Sequence, residues 1–175
     1  MKIAILKERR PHESRVAATP ETVKKLKTLG AEEIVIEAGA GLAAAYTDEA
    51  YAEAGASIVP DAAAAVAAAD VVFKIQRPMS AAEGIDEMAL LRSGQTLMSP
   101  LGALNNKELV QALASRGVTS FALELIPRIT RAQSMDILSS QANLAGYKAV
   151  LLAANNFGRI FPQMMTPGGT LAPAR

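Results

Sequence analysis

A group of polar residues between positions 128 and 139 contains the side chains best suited to hold a ligand. Gln133, Asp136 and Ser139 are spaced three apart, so a helix through them would place all three on one face. Arginine grips phosphate and glutamine pairs with amides, and Arg128 stands just before this group. The segment therefore predicts a ligand-facing loop. The alternative is that Asp136 or Ser139 caps a following helix, which would explain one of these residues but not the whole group.

Basic residues also follow two of the predicted strands. The charged run 7–10 and Arg15 come after the first strand, and Lys74 ends the fourth. Open parallel sheets bind ligands at the carboxyl edge of their strands, and an arginine such as Arg15 can fork onto a carboxylate. The sequence leaves two alternatives open: the first loop is a solvated charged loop, and Lys74 is a salt-bridged strand end.

A turn with two glycines, Gly39 and Gly41, matches a dinucleotide-binding fingerprint incompletely. The third glycine position holds Ala44, and the turn follows the second predicted strand rather than the first. No acidic residue about 20 positions on ends a strand where it could hold a ribose. These residues predict a turn whose glycines permit positive φ, with no Rossmann nucleotide site in this chain.

The composition excludes several classes of function. There is no cysteine, and His12 is the one histidine, so disulfide scaffolds, thiol catalysis and multi-histidine metal centres are excluded, and we predict no metal site. The 18 Lys and Arg balance 17 Asp and Glu, which argues against a nucleic-acid or polybasic membrane binder. No apolar run approaches the ~20 residues of a membrane span, and Met1–Glu8 is too short for a signal peptide. These features predict a soluble, cytosolic type of chain.

Short β-like runs alternate with helical ones along the chain. This alternation predicts an α/β fold with a parallel sheet in three layers, of the flavodoxin or Rossmann type, with right-handed crossovers and a long final helix. Thr19, Pro20 and Glu21 predict a capped helix start, Asn105 to Glu108 predict another, and the alanine-rich stretch 62–69 predicts a tightly packed helix. The predicted strands cover 2–6, 34–36, 57–59, 70–75, 95–98 and 118–122, with the last continued by a run over 121–126.

Three regions are predicted. Residues 1–135 form the N-terminal α/β subdomain, and 136–162 form a long linking helix. The proline and glycine density of 163–175 is typical of a linker that leads into another domain.

Three stretches make the chain resemble the alanine dehydrogenase/nicotinamide nucleotide transhydrogenase family, and within it the proton-translocating transhydrogenase branch. The resemblance covers essentially all 175 residues. The stretch 127–147 is the most specific, whereas the N-terminal stretch, 7–10 with 13–17, is shared by both branches. The stretches are Lys-Glu-Arg-Arg at 7–10 with Glu-Ser-Arg-Val-Ala at 13–17, Lys-Ile-Gln-Arg-Pro at 74–78, and Pro-Arg-Ile-Thr-Arg-Ala-Gln-Ser-Met-Asp-Ile-Leu-Ser-Ser-Gln-Ala-Asn-Leu-Ala-Gly-Tyr at 127–147.

The resemblance implies an NAD(H)-binding component whose glycine fingerprint lies in a second, NAD-binding subdomain, which is absent from this chain and toward which the linker 163–175 leads. It implies that Arg128, Gln133, Asp136 and Ser139 bind the nicotinamide end of NAD(H), with Gln133 and Asp136 closest to the catalytic step. It further implies that NADP(H) is supplied by a partner domain, and that hydride transfer is coupled to proton translocation through membrane-embedded subunits. The expected assembly is a homodimer in the cytoplasm, peripheral to the inner membrane, with no nucleic acid.

The amino-acid dehydrogenase branch is the alternative that the resemblance leaves. In that branch Arg15 and Lys74 correspond to residues that hold the substrate carboxylate, so here they would belong to an ancestral substrate pocket. That branch also uses a catalytic histidine shortly after the fifth strand, where this sequence has Gly102. The absence of that histidine favours hydride transfer between nucleotides over amino-acid oxidation. A non-catalytic assembly fragment is the third possibility.

Overall fold

The structure is a computed structural model and describes residues 1–173. The chain divides into two compact units, Met1–Ile126 and the residues from Pro127 onward. The division falls before residue 135, where the sequence predicts the end of the α/β subdomain, because the last strand of the sheet is already complete at Ala122.

The first unit is built on one six-stranded sheet in which all neighbouring strands are parallel. The strand order is β3-β2-β1-β4-β5-β6, and in this register Ile3 lies between Ile34 and Val71. This architecture confirms the predicted parallel α/β fold. The strands are β1 (Lys2–Ile5), β2 (Glu33–Glu37), β3 (Ser57–Val59), β4 (Val71–Phe73), β5 (Thr96–Ser99) and β6 (Thr119–Ala122).

Four helices cover the two faces of this sheet. Thr19 caps the first by accepting the Thr22 N–H at 3.2 Å, with Pro20 at the first helical position. Thr47 caps the second in the same way, accepting the Ala50 N–H at 3.3 Å. The helices are α1 (Pro20–Thr28), α2 (Asp48–Glu53), α3 (Ala62–Ala67) and α4 (Lys107–Ser115).

The central strand β1 is buried on both sides. Ile3 and Ile5 pack with residues of α1 and α2, whereas Ala4 packs with residues of α3 and α4. Side chains alternate across a strand, so a strand covered on both faces needs apolar residues at every position. That requirement explains why the continuous run 2–6 correctly predicted the first strand.

Two predicted boundaries are wrong. The capping box expected from Asn105 does not form, because α4 begins after Asn106, whose amide donates to the carbonyl oxygens of Leu101 and Gly102 at 3.1 and 3.0 Å. The run over 121–126 does not continue the strand, since β6 ends at Ala122 and the chain then forms a 3₁₀ turn.

The second unit contains a long helix, α5 (Ile137–Asn156), followed by a hairpin of β7 (Met164–Thr166) and β8 (Gly169–Leu171). The helix ends before the predicted residue 162, because Phe157 is already extended and glycine and proline follow at 158 and 162. The predicted linker 163–175 therefore includes a hairpin among its described residues. No helix within residues 1–173 is both long enough and apolar enough to span a bilayer.

The two glycines of the 39–44 turn have different roles. Gly39 has a φ of +70°, as predicted, but Gly41 has a φ of −89°, which any residue adopts. Gly41 is required by packing instead, because a Cβ there would lie 2.5 Å from Cε2 of the buried Tyr51. The Gly39 N–H donates to both carboxylate oxygens of Asp48 at 2.9 and 3.1 Å, so the turn does not offer that amide to a phosphate.

Candidate functional site

The carboxyl ends of β1 and β4 form the crevice of the sheet. The two strands are neighbours, but β1 leads to β2 on one side and β4 leads to β5 on the other. Open α/β sheets bind ligands at such a switch point. The residues that follow these two strands, Glu8, Arg9 and Lys74, join Glu37 and Glu87 in a buried group that we call the crevice cluster.

Lys74 lies at the centre of the crevice cluster, with only 2% of its side chain exposed. Its Nζ is 3.0 Å from Oε1 of Glu87 and 3.3 Å from Oε2 of Glu8. The other oxygen of Glu8 accepts the Ile75 N–H at 2.6 Å. Of the two alternatives for Lys74, this geometry is that of the salt-bridged strand end.

Arg9 joins the other two carboxylates of the crevice cluster. One guanidinium nitrogen contacts Glu37, and the second lies 3.3 Å from Oε1 of Glu87. Glu37 also accepts the Lys7 N–H at 2.9 Å, and Glu87 accepts the Met79 N–H at 2.9 Å. Every carboxylate of the cluster is therefore bound both by a cation and by a backbone amide.

Burial raises the pKa of Glu8 above its ordinary value, even though the charge of Lys74 and the N–H of Ile75 act in the opposite direction. The desolvation of this carboxyl is thus not fully offset by its partners. The crevice cluster is a network of buried charges, and the removal of any one member would leave its partners without full compensation.

Arg15 already holds a carboxylate of its own chain. Its Nε and Nη2 donate to Glu13 at 2.8 and 2.6 Å, and Gln76 donates to the same Glu13 at 2.6 Å. The hydrogen bonds from Arg15 lower the pKa of Glu13 to about 2, against the effect of burial and with help from Gln76. Arg15 and Glu13 line a cavity of about 180 Å³ together with Lys7, Glu8 and Gly39.

The second unit brings the predicted nucleotide-binding residues into one cleft of about 500 Å³, which we call the 128–140 cleft. The predicted shared helix face is wrong, because Gln133 lies in a 3₁₀ helix, Asp136 is extended and α5 begins only at residue 137. The chain changes direction at Asp136, between the 3₁₀ helix and α5, and this change brings the polar side chains to one cleft. The cleft is lined by Arg128, Ile129, Thr130, Gln133, Asp136, Ser139 and Ser140.

Two hydrogen bonds from Ser139 hold the Asp136 carboxylate in place in the 128–140 cleft. It caps α5 by accepting the Ser139 N–H at 2.9 Å and the Ser139 hydroxyl at 2.5 Å. These bonds, with the nearby charge of Arg128, lower the pKa of Asp136. The capping alternative is therefore correct for Asp136 and also explains Ser139. It leaves Arg128 and Gln133 unexplained, since both are exposed and neither side chain makes a hydrogen bond or salt bridge to another residue among 1–173.

Asp136→Ala and Asp136→Asn separate the capping role from the charge. We expect the alanine variant to lose the cap and to speed amide hydrogen exchange in the first turn of α5, whereas asparagine keeps an acceptor for the Ser139 N–H. Exchange measured by mass spectrometry over 137–141 checks this expectation. Equal protection in both variants would show that the bond to Ser139 does not hold the helix start.

Two residues of the crevice cluster were not identified from the sequence. Glu37 ends β2 at the same sheet edge as Glu8, so its place after the apolar run 34–36 was a usable signal. Glu87 lies in a segment between β4 and β5 that has neither strand nor α-helix, and no periodicity marks it.

The sequence profile of the "Alanine dehydrogenase/PNT, N-terminal domain" family matches residues 4–145. Over all 175 residues the chain is 59% identical to an NAD(P) transhydrogenase alpha-subunit protein of Rhodospirillum rubrum, of which it covers 45%. It is 33% identical to alanine dehydrogenase of Bacillus subtilis over 154 residues, which is 88% of the chain and 38% of that protein. Among solved structures it is similar to a transhydrogenase from Sinorhizobium meliloti, with a TM-score of 0.88, 49% identity and coverage of 99% of this chain and 50% of the other. The chain thus spans about half the length of these transhydrogenase relatives.

Proposed function

We propose that this chain, which belongs to the alanine dehydrogenase/PNT N-terminal domain family, is the N-terminal portion of the NAD(H)-binding component of a proton-translocating NAD(P) transhydrogenase. The identity of 59% to a transhydrogenase alpha subunit over the full chain, against 33% to an alanine dehydrogenase, supports this branch of the family. In this proposal hydride passes between NAD(H) and NADP(H), coupled to proton movement through membrane subunits.

The 128–140 cleft carries the proposal. Exposed Arg128 and Gln133 line it beside a carboxylate whose position is set by two bonds to Ser139. In the proposed site the Gln133 amide pairs with the carboxamide of the nicotinamide, and Arg128 neutralises the adjacent phosphate. Asp136 orients Arg128 and holds the start of α5, and Ser139 fixes Asp136. A cleft with an amide, a guanidinium and a fixed carboxylate fits the polar groups at that end of the coenzyme.

The nicotinamide supplies the hydride-transfer chemistry when it is bound, and the protein supplies orientation. Transfer between two nicotinamides needs no protein acid or base, only two rings held at reacting distance. Of the groups that line the 128–140 cleft, Asp136 has a lowered pKa and stays ionised at neutral pH. A cleft without histidine or cysteine is therefore adequate for this reaction.

The exposed apolar surface of the second unit supports the proposed partners. No described residue of α5 is buried, and Leu144, Tyr147, Val150 and Leu151 are each at least 47% exposed. A helix with apolar residues on several sides requires cover from other protein. We include in the proposal a homodimer, a domain that presents NADP(H), and membrane-embedded subunits that make the protein peripheral to the membrane.

An amino-acid dehydrogenase is the second candidate, since Arg15 and Lys74 occupy the positions that the resemblance assigns to an ancestral substrate pocket. Two observations weigh against it. Arg15 is forked onto Glu13, and Lys74 is enclosed by Glu8 and Glu87. A substrate carboxylate would have to displace acidic groups of the chain itself from both cations.

The complete protein, assembled with its partner subunits in membrane vesicles, distinguishes the candidates. We expect reduction of an NAD⁺ analogue of distinct absorbance by NADPH, and a change in that rate when the proton gradient across the vesicle is collapsed. We expect no NADH oxidation with pyruvate and ammonium. Turnover with pyruvate would establish the dehydrogenase instead, and absence of both reactions in an assembled complex would favour a non-catalytic assembly role.

A further inference from the structure

The Glu124 carboxylate binds the backbone of the turn that follows β5. Its two oxygens accept the N–H groups of Leu101 and Ala103 at 3.0 and 2.8 Å. Burial acts to raise the pKa of Glu124, but backbone amides, chiefly those of Ala103 and Leu101, outweigh it and hold the pKa below its ordinary value. Glu124 is therefore ionised at neutral pH, and its hydrogen bonds to the turn are of the strong, charge-assisted kind.

The turn at 101–103 is itself held firmly in the first unit. Leu101 is buried, with 2% of its surface exposed. The side-chain amide of Asn106 donates to the carbonyl oxygens of Leu101 and Gly102 at 3.1 and 3.0 Å. The amide lies so close that a Cβ at residue 102, where φ is +59°, would be 2.6 Å from its nitrogen. Glu124 thus binds a turn that other contacts already hold in place.

Glu124 lies in the short connection between β6 and the second unit. β6 is at the edge of the sheet, and the 3₁₀ turn Leu123–Leu125 follows it directly. The other side chains from 123 to 127 are all apolar, so Glu124 is the last residue before the 128–140 cleft whose side chain can form a hydrogen bond to the first unit. Arg128 follows four residues later, at most about 14 Å of extended chain away.

We propose that Glu124 is a positioning residue for the 128–140 cleft, because its bonds to the 101–103 turn fix the backbone that leads into Arg128. The proposal rests on the function proposed above, in which Arg128 and Gln133 bind the nicotinamide end of NAD(H). Without the carboxylate the connection samples more conformations, so the bound coenzyme spends less time in its reacting position. The affinity for NADH changes less than the rate, since the groups that contact the coenzyme remain.

Glu124→Gln in the assembled complex tests the proposal. Glutamine has the same length but only one acceptor oxygen, so one of the two amides of the turn loses its partner. We expect the single-turnover rate of hydride transfer to fall by about 10-fold, and the dissociation constant of NADH to rise by less than about 2-fold. Amide exchange of residues 123–130 should become at least about 10-fold faster, while that of β1 stays as in the wild type.

Two further variants separate positioning from a general loss of stability. Glu124→Asp keeps the charge but shortens its reach by one methylene, and it serves as the test variant if the glutamine protein does not fold. Across both variants the loss of transfer rate should increase with the exchange rate of residues 123–130. Glu53→Gln makes the same change as Glu124→Gln at an exposed residue that ends α2, and it should alter neither quantity.

The outcomes distinguish this proposal from the proposed function. A wild-type transfer rate in Glu124→Gln, with or without faster exchange of residues 123–130, would overturn the positioning role and leave Glu124 with a contact that serves stability alone. A loss of NADH affinity with an unchanged single-turnover rate would overturn it as well. Absence of transfer by the wild-type complex would instead overturn the proposed function, and with it the part of Glu124 in that reaction.

Discussion

The free energy of unfolding of the first unit should fall by about 3–5 kcal/mol at pH 7 when Lys74 is replaced by methionine. Lys74 and its two partners, Glu8 and Glu87, each have only 2% of the side chain exposed. Methionine fills a similar volume, so the loss is chiefly electrostatic: two carboxylates remain buried without the cation between them. Hydrogen exchange of the β1 amides in the full-length protein measures this free energy, because β1 lies at the centre of the sheet.

The deficit of Lys74→Met should shrink as the pH falls. Burial raises the pKa of Glu8 above the ordinary 4.5 even with Lys74 present, and removal of Lys74 raises it further. A carboxyl whose pKa is higher in the folded state adds stability below the unfolded pKa, and that contribution is lost as the pH rises through the folded pKa. The variant should therefore come nearest to the wild type at and below about pH 4.5 and differ most at pH 7.

Lys2→Met is the matched control on the same sheet. Lys2 pairs with Glu33 at 3.0 Å, but 43% of its side chain is exposed, so its removal should leave the protection of β1 almost unchanged. If Lys74→Met were as mild as Lys2→Met, or if its deficit did not depend on pH, the crevice cluster would not act as a coupled buried network.

The contrast between Lys74 and Glu87 shows what the sequence could predict of the first unit. Strands and helix starts have local signals: β1 is apolar at its buried positions because both of its faces are covered, and Thr19 with Pro20 marks a helix start. Lys74 was identifiable because it ends a strand. Glu87 was not, because the partners that bury it are 13 and 78 residues away in the chain.

The 128–140 cleft shows the same division within the second unit. The polar residues that the sequence singled out line one cleft, and the capping alternative correctly described Asp136. The predicted helical face was wrong because spacing alone does not reveal that the backbone is 3₁₀ at Gln133 and extended at Asp136. Such a change of conformation depends on competition between local hydrogen bonds, which residue periodicity does not encode.

Gln133→Asn should slow hydride transfer in the assembled complex by about 10–100-fold. The substitution keeps the amide but shortens its reach by one methylene, so a nicotinamide that is oriented by this amide would be displaced from its reacting position. The hydrogen bond itself contributes about 1 kcal/mol net, so the dissociation constant of NADH should rise by no more than a factor of about 5. Single-turnover transfer rates and NADH titration of the same preparation provide the two measurements.

Gln111→Asn makes the same chemical change at an exposed position of α4 in the first unit, and it should alter neither quantity. Asp136→Asn adds a second comparison, because it keeps an acceptor for the Ser139 N–H while removing the charge near Arg128. A rate loss in Asp136→Asn with intact protection of α5 would locate its effect in the bound coenzyme rather than in the helix start.

The ratio between the two effects of Gln133→Asn decides its role. Loss of a side chain that only binds NADH would weaken affinity and leave the single-turnover rate of the bound coenzyme unchanged, whereas loss of one that orients the ring lowers that rate much more than the affinity. A third outcome is an unchanged rate and affinity with lower thermal stability. It would show that residues 130–135 serve only to position the start of α5 and that the 128–140 cleft does not bind the nucleotide. Because the Gln133 side chain makes no hydrogen bond or salt bridge to another residue within 1–173, a stability loss is the outcome that this geometry least supports.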